Sequence, residues 1–174
     1  MMDHVDKAVD SLRRALGESV LSVNVFRGQT TVEVAPHRIP DAVQHLRDDP
    51  ELEFNYLAAL TASDRWPAEP RFTVLYRLYS LPHNVFLGLH ARLDGNAPQL
   101  PSLEPVFPAA NWHERELFDL FGITFTGHSD LRRILMPYDW VGHPLRKDLP
   151  QGYEEVQFTF NFDEIDRRKP YARK

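Results

Sequence analysis

The chain has 174 residues, of which 43% are hydrophobic and 26% charged, so it is long enough to bury the core of one compact domain. Its net charge of -5 gives no electrostatic reason to expect nucleic acid or an anionic membrane surface as a partner. Cysteine is absent, which excludes disulfides, thiolate nucleophiles and the usual thiolate ligands of zinc and iron–sulfur clusters. No apolar run approaches the roughly 20 residues of a membrane-spanning helix, and the first residues do not form a signal peptide. We therefore expect an intracellular protein.

The first part of the chain predicts a helix followed by a hairpin. Apolar residues at helical spacing indicate a helix over residues 3–16, and Asp3 stands where a side chain can cap the first turn. Short alternating runs at residues 23–25 and 32–34 predict two strands. The Arg27–Gly28 pair lies between them and is typical of a hairpin turn.

The middle of the chain predicts a second helix and three more strands. The helix starts near Pro40, and a short strand follows at residues 57–61. Residues 72–79 are apolar on both faces, which predicts a central strand with at least partial cover on each side. A partner strand begins at Val85, and the prolines between residues 97 and 108 indicate an extended connector. With a further helix after the connector, the order α-β-β-α-β-β-β-α predicts a two-layer α+β fold, with helices on one face of a mostly antiparallel or mixed sheet.

The end of the chain differs in character from the rest. Residues 1–150 are expected to form a single domain, and residues 151–174 an extended C-terminal arm. Phe158, Phe160 and Phe162 alternate with polar residues, so this segment either folds back as an edge strand or lies on a partner. The highly charged final residues have little to bury, and we therefore favour contact with a partner.

Charge, aromatic rings and turn residues are packed most densely in residues 111–150. The acids are Glu114, Glu116, Asp119, Asp130, Asp139 and Asp148, and the bases are Arg115, Arg132, Arg133, Arg146 and Lys147. A nucleic-acid-binding patch would be mainly basic, whereas this near balance indicates side chains that neutralise one another. The bases could instead bind a phosphate or a carboxylate-bearing ligand, but no glycine-rich loop leads into a helix nearby. A structural charge network is the favoured interpretation.

A third helix is predicted within this segment. Asn111 is followed three residues later by Glu114, which is the spacing of a capping box, and Gly122 is placed to end the helix. Arg115 and Asp119 are four residues apart, so they are expected to pair on the surface of the helix.

Enzymatic chemistry has weaker support in the sequence. His113 and Glu116 are three residues apart, as in half of a carboxylate–histidine di-metal motif, but the chain holds no second copy. The serines lack the Gly-x-Ser-x-Gly context of a hydrolase nucleophile, and no phosphate-binding glycine loop occurs. We therefore expect no catalytic, cofactor-binding or metal-binding residue. A stand-alone small-molecule enzyme that uses Glu114, Arg115 and Asp119 remains an alternative.

The same segment fills every fixed position of a known family signature. The signature residues are Glu114, Arg115, Glu116, Asp119, Leu120, Phe121, His128, Arg132, Ile134 and Leu135. Further matches are residues 60–64, 71–76, 79–82 and 142–148. On these residues the chain resembles the C subunit of respiratory NADH-quinone oxidoreductase (complex I), the thirty-kilodalton subunit family. The departures are Ser129, where the family more often has proline, Leu149, where it more often has an aromatic residue, and a shorter C-terminal tail than in some relatives.

The resemblance implies a non-catalytic structural subunit in the peripheral arm of a membrane-bound respiratory enzyme, on its cytoplasmic face. The whole enzyme would pass electrons from NADH through FMN and iron–sulfur clusters to quinone, coupled to ion pumping, and partner subunits would hold these cofactors. This chain would dock on the quinone-site subunit (the D subunit of the enzyme), near the iron–sulfur subunits. The implied docking and salt-bridge residues are Glu114, Arg115, Glu116, Asp119, His128, Arg132, Arg133, His143, Arg146, Lys147 and Asp148. Related membrane-bound nickel–iron hydrogenases and F420H2 dehydrogenases contain similar subunits and remain the alternative.

Overall fold

The computed structural model describes residues 3–149, which form three α-helices, two short 3-10 helices and seven strands. The helices are α1 (His4–Leu16), α2 (Ile39–Asp48) and α3 (Ala110–Phe121). The strands are β1 (Val20–Phe26), β2 (Gln29–Val34), β3 (Tyr56–Asp64), β4 (Phe72–Ser80), β5 (Val85–Leu93), β6 (Gln99–Pro101) and β7 (Thr124–Thr126). Within residues 3–149, no helix has the length and apolar character needed to cross a membrane. The expected arm at residues 151–174 lies outside the described residues and stays a prediction.

Five strands form one mixed sheet in the order β1-β2-β5-β4-β3. Neighbouring strands are antiparallel except β2 and β5, which run parallel with Val32 opposite Leu89. β1 and β2 form the predicted hairpin, and its turn residues Arg27 and Gly28 have φ of 49° and 74°. Positive φ at both positions is typical of the type I′ turn, whose twist matches that of the strands. The predicted α+β fold class is confirmed.

The three helices pack on one face of this sheet. In β2, β4 and β5 the large buried apolar residues belong to a single alternation, as Phe72, Val74 and Leu78 show for β4. The helices add their apolar stripes to the same core. These helical residues are Ala8, Val9, Leu12, Leu16, Ile39, Ala42, Val43, Leu46, Ala110, Leu117 and Phe121. Burial of this continuous apolar layer is the main term that stabilises the fold.

The opposite side of the sheet, called the outer face below, is accessible to solvent. Leu75 on β4 is 37% exposed and Phe86 on β5 is 46% exposed, while Tyr79 is half-buried. The prediction of cover on both sides of β4 is therefore met fully on the helical side and only in part on the outer face. The apolar pattern of β4 reflects a second apolar surface and not a second layer formed by residues 3–149.

Two short strands that the sequence pattern does not predict, β6 and β7, form a parallel pair. β6 lies inside the proline-rich connector and β7 follows α3, so the pair holds the connector beside the end of that helix. Leu100 and Phe125 are buried in this pair, and the amide of Ser102 donates to the carbonyl of Thr126 at 2.9 Å. Strands of three residues are too short to show a period-2 pattern in the sequence.

Helix α1 spans the predicted residues, but its start differs in one detail. Asp3 occupies the N-cap position and makes no side-chain hydrogen bond to the first turn. Gly17 follows the helix with φ of 55°, a conformation that glycine adopts without strain. The helix is therefore stabilised by its buried stripe and not by a cap at its first residue.

Replacement of Leu12 by alanine should lower the free energy of unfolding by about 2–5 kcal/mol, because Leu12 is fully buried in the core beneath α1. Leu21→Ala is the control, since Leu21 on β1 is 57% exposed and its truncation should change stability by less than about 0.5 kcal/mol. Urea unfolding followed by circular dichroism measures both variants. Equal losses would contradict the burial of α1 against the sheet.

Candidate docking surface

Asp119 on α3 is fully buried and holds the loop that follows β7. Its Oδ2 atom accepts hydrogen bonds from the amides of Ile134, Leu135 and Met136 at 2.8–3.0 Å. Its Oδ1 atom accepts a bond from Arg133 Nη1 at 2.7 Å. Burial alone would raise the pKa of the Asp119 carboxyl, but the three amides and the guanidinium outweigh burial and leave the pKa below its ordinary value. The ionised carboxylate therefore anchors this loop to the helix.

Arg115 does not form the predicted ion pair with Asp119. Its Nε and Nη2 atoms donate to the carbonyls of Arg132 and Arg133 at 3.1 and 3.2 Å. The guanidinium also lies over the ring of Trp112, 5.2 Å from the ring centroid. The prediction is wrong because both side chains turn away from the helix surface towards the backbone of the same loop, one donating to its carbonyls and the other accepting from its amides.

Glu114 is fully buried and also differs from its predicted role. Helix α3 begins at Ala110 without a side-chain cap bond, so the expected capping box between Asn111 and Glu114 does not form. The Glu114 carboxylate instead accepts the hydroxyl of Ser102 and the amide of Leu103, both at 2.6 Å. Burial raises the pKa of Glu114, although these two donors oppose the rise. Glu114 thus fastens the proline-rich connector to α3.

The last three residues of α3 have their carbonyls bonded by donors from residues 143–146. The pairs are His143 Nδ1 with Asp119 (2.9 Å), the Leu145 amide with Leu120 (3.0 Å) and Arg146 Nε with Phe121 (2.6 Å). Carbonyls at a helix end otherwise lack intrahelical partners, and the cationic Arg146 also complements the negative end of the helix dipole. This segment is therefore locked against the end of the helix.

Gly122 permits that close approach. It ends α3 as predicted, with φ of 73°. A Cβ atom at this position would lie 2.6 Å from the ring of His143 and 2.7 Å from Nη2 of Arg146, which is too close for either. Gly122 is thus required by packing as well as by the helix end, and the second reason is not visible in the sequence pattern.

A second ion cluster joins the end of the segment to the sheet. Arg71, buried immediately before β4, donates to both oxygens of Asp64 and to both oxygens of Asp148, at 2.7 and 3.0 Å in each case. The amide of Lys147 adds a bond to Asp64 at 2.9 Å. Arg71 lowers the pKa of Asp148, and for Asp64 the hydrogen bonds outweigh burial and lower the pKa as well.

Asp64 and Arg71 are members of this ion cluster that the charge pattern of residues 111–150 does not predict. The sequence feature that could have identified them is their position. Each is a charged residue at the end of a long apolar strand, and a short loop joins the two strands. A charge at such a position requires a partner when it is buried. The sequence does not indicate that the partner is Asp148, 77 residues further along the chain.

The turn at His128 is held by Glu104 of the connector. The Glu104 carboxylate accepts the hydroxyl and amide of Ser129 at 2.7 and 2.8 Å and the side chain of Asn111 at 2.9 Å. These donors lower the pKa of Glu104 to about 2. His128 Nδ1 accepts the amide of Asp130, so in the neutral ring Nε2 carries the proton and donates to the carbonyl of Asn111 at 3.2 Å.

The side chains of Glu116, Arg132 and Lys147, also proposed from the sequence, are exposed. Arg132 pairs with Asp130 at 2.8 Å, but both side chains are more than half exposed, and such pairs contribute little to stability. The other predicted residues are bonded to the backbone or to side chains of this chain. Most of the charges therefore hold the segment in place and are not free to meet a ligand.

The same segment presents apolar side chains to solvent. Tyr138 and Val141 are 94% and 92% exposed, and Trp112, Leu135 and Leu145 are each at least half exposed. These five residues are called the signature surface below. Exposed apolar patches on a monomer are typical of a contact with another protein, and these five side chains lie within one segment of the sequence. A rigid polar frame that carries them favours docking as the role of this site.

Residues 3–149 hold no group of three or more His, Asp or Glu side chains placed to bind a metal ion. The side chains of the alternative enzyme cluster are also committed to separate structural partners. Glu114 bonds the connector, while Arg115 and Asp119 bond the backbone of the loop. This arrangement supports binding and rigidity and offers no paired acid and base.

The fold and this site define a small α+β protein whose polar network holds a loop segment that exposes apolar side chains. The sequence matches the model of the respiratory-chain NADH dehydrogenase 30 Kd subunit family over residues 32–155. The chain belongs to this family.

Several relatives share nearly the whole length of the chain. The C subunit of the NADH-quinone oxidoreductase of Roseiflexus sp. (strain RS-1) is 52% identical over 95% of this chain and 95% of its own. The protein of the same name from Herpetosiphon aurantiacus is 41% identical over 97% and 99%. These relatives confirm the resemblance and favour the NADH-quinone enzyme over the hydrogenase alternative.

Two solved structures share the fold. A trypsin-resistant fragment of Nqo5 has a TM-score of 0.64 and 27% identity, and the match covers 74% of this chain and all of the fragment. A chain of the membrane-bound sulfane sulfur reductase, an archaeal respiratory membrane complex, has a TM-score of 0.63 over 86% of this chain and 87% of its own. Its identity of 20% shows a likeness of fold alone.

Asp119→Asn should lower the free energy of unfolding by about 3 kcal/mol, because one end of the new amide is a donor that faces other donors in a buried site. Glu116→Gln is the matched control on the same helix, since Glu116 is exposed and its change should be below about 0.5 kcal/mol. Chemical unfolding at neutral pH compares the two. An Asp119→Asn protein as stable as the control would refute the anchoring role.

Glu104→Gln should make stability less sensitive to acid. The pKa of Glu104 is lower in the folded protein, about 2 against an ordinary 4.5, so its ionised form stabilises the fold above pH 4.5 and that contribution is lost as the pH falls towards 2. The melting temperature of the variant should therefore fall less steeply over this range than that of the wild type. Glu18→Gln, at an exposed site after α1, is the control. Parallel profiles for wild type and Glu104→Gln would contradict the network around Ser129.

Proposed function

We propose that this chain is a non-catalytic structural subunit of a membrane-bound NADH-quinone oxidoreductase, and that the signature surface is its docking site. The observation that carries this proposal is the exposure of Tyr138 and Val141 on a segment that the buried Asp119 and its partner Arg133 hold in place. Membership in the family supplies the kind of assembly, because relatives of nearly the same length are named as the C subunit of this enzyme.

The partner at the signature surface is proposed to be the quinone-site subunit, with the iron–sulfur subunits nearby. In this assembly electrons pass from NADH through FMN and iron–sulfur clusters to quinone, and these groups reside in the partner subunits. The absence of cysteine supports this division, since the usual ligand of iron–sulfur clusters is missing here. The chain would lie on the cytoplasmic face of the membrane as a peripheral part of the complex.

The physical basis of docking is the transfer of apolar side chains from water to an interface. Each large side chain of the signature surface contributes up to about 2–3 kcal/mol when it is fully buried. Arg133 also donates to the carbonyls of Trp140 and Gly142. These bonds hold the loop of residues 133–142, which carries Tyr138 and Val141, before a partner binds. An ordered loop loses little conformational entropy when it docks, which increases the net affinity.

Residues 151–174 are proposed to extend this contact. Their alternating phenylalanines, Phe158, Phe160 and Phe162, are suited to an extended segment that lies on a partner. The segment follows shortly after Asp148, which Arg71 fixes to the end of the sheet where β4 begins. The arm would therefore leave the domain from a defined point.

The proposal is tested by purification of the tagged chain from native membranes with identification of the co-purifying chains. We expect the quinone-site subunit and the other subunits of the oxidoreductase. Tyr138→Asp combined with Val141→Asp should reduce their recovery by about tenfold, because carboxylates would enter an apolar contact. Leu21→Asp is the control, since Leu21 is an exposed apolar residue on the edge strand β1.

Three results would overturn this function. One is full recovery of the partner subunits with the double variant. The second is an intact complex of the double variant with lost turnover, and the third is a cofactor or metal bound to the isolated chain in stoichiometric amount, because either would assign chemistry to this chain. Thermal melting of the isolated variants confirms that their folds are unchanged, which the exposure of both residues predicts.

A further inference from the structure

Four aromatic rings form a row across one end of the outer face. Tyr56 on β3 lies opposite Tyr79 on β4, and Tyr79 lies opposite Phe86 on β5. Phe26, at the end of β1, lies opposite Gln29 of β2. Tyr56, Phe86 and Phe26 are 52%, 46% and 66% exposed. These four residues are called the aromatic row below.

Two arginines accompany the aromatic row. The guanidinium of Arg77 lies over the ring of Phe86, 4.8 Å from its centroid, and donates to Gln29 at 3.1 Å. The guanidinium of Arg27 lies over the ring of Phe26 at 5.1 Å. The row is therefore positively charged, although the net charge of the chain is -5.

Carboxylates are almost missing from this side of the sheet. Within the five described strands, the one acid on the outer face is Glu33, whose side chain is 14% exposed. It pairs with Arg92 at 3.2 Å and lies 3.4 Å from His90. Its charge is thus matched locally and does not offset that of Arg27 and Arg77.

This combination of groups is typical of the centre of a protein interface. Aromatic side chains and arginine are enriched at such centres, and they supply most of the binding energy. The apolar pattern on both faces of β4 also indicates an interface. Leu75 and Tyr79 form a second apolar surface that residues 3–149 leave accessible. A second chain would complete the cover that the pattern indicates.

We propose that the aromatic row docks an apolar segment of a neighbouring subunit in the same complex, with carboxylates of that segment facing Arg27 and Arg77. This inference rests on the proposed function, because it requires the chain to be part of an assembly. The surface is separate from the signature surface, which lies on α3 and the loops beyond it. Charge complementarity identifies the occupant, since an acidic apolar segment matches both the rings and the arginines.

Nucleic acid fits the aromatic row less well. Bases bind to such a surface by stacking on open ring faces. Here Arg77 already covers Phe86, Arg27 covers Phe26, and the rings of Tyr79 and Phe86 lie against each other with centroids 4.4 Å apart. The acidic net charge would also repel a phosphate backbone.

The chain's own C-terminal arm is also poorly placed to cover the row. Asp148 is bonded to Arg71 at the end of the sheet where β3 finishes and β4 begins, whereas Tyr56 lies at the other end of β3. Nine residues at the rise of a strand span about 27 Å. Phe158 follows Leu149 by nine residues, so the arm would have to be almost fully extended, at about 30 Å, merely to bring its first phenylalanine there.

A photoreactive residue in place of Tyr56 tests the inference in the native complex. We introduce p-benzoylphenylalanine at position 56 of the tagged chain, irradiate membranes and identify the cross-linked peptides. The expected product is a peptide from another subunit of the complex with Asp or Glu within a few residues of the cross-link. Arg77→Glu should reduce its yield by about tenfold, whereas Arg13→Glu, at an exposed position of α1, should leave the yield unchanged.

Several outcomes would overturn the inference while the proposed function stands. They are co-purification of the complex with no cross-link from position 56, a cross-link to residues 150–174 of the same chain, a cross-link to RNA, and a partner peptide without acidic residues. Failure of the complex to co-purify would instead refute the proposed function. If Arg77→Glu lowers the melting temperature of the isolated chain, Arg27→Glu in the exposed hairpin turn replaces it with the same expected loss.

Discussion

The buried carboxylate of Asp119 is the constraint on which the loop that follows β7 depends. A charge inside a protein is tolerated only when hydrogen bonds and opposite charge compensate its lost hydration. Three consecutive loop amides and Arg133 supply that compensation, so the loop is fastened to α3 although it contains no helix or strand. Because Leu117 and Phe121 bury the same helix against the sheet, the position of the loop is fixed by the core.

The remaining polar contacts repeat this principle at three other points. Glu114 fastens the connector, residues 143–146 cover the end of α3, and Arg71 joins Asp148 to the sheet. Each contact removes a charged or polar group from those available to a ligand. The segment resembles an active site in composition, yet about half of its charged groups are bonded internally. The exposed apolar side chains lie in the same segment as exposed charges such as Glu116, Arg132 and Lys147.

The sequence predicted the helices and the long strands better than it predicted which charged side chains pair with one another. Periodic apolar residues predicted the helices and the five long strands, since burial on one face imposes that period. The balance of charges correctly indicated a self-neutralised network. The four-residue spacing wrongly paired Arg115 with Asp119, because spacing along a helix reports only local neighbours. The true partners of Asp119 lie 14–17 residues away, and those of Arg71 include Asp148. Tertiary folding decides such pairs, so local spacing could not identify them.

In the proposed assembly the two exposed surfaces differ in the forces that would hold a partner. The signature surface is apolar at Tyr138 and Val141, and burial of such groups depends little on moderate salt. The aromatic row carries Arg27 and Arg77, whose attraction to carboxylates is screened as the ionic strength rises. Rising salt should therefore loosen the contact at the aromatic row first. Because both surfaces belong to one chain, the chain would stay attached through the signature surface while that second contact opens.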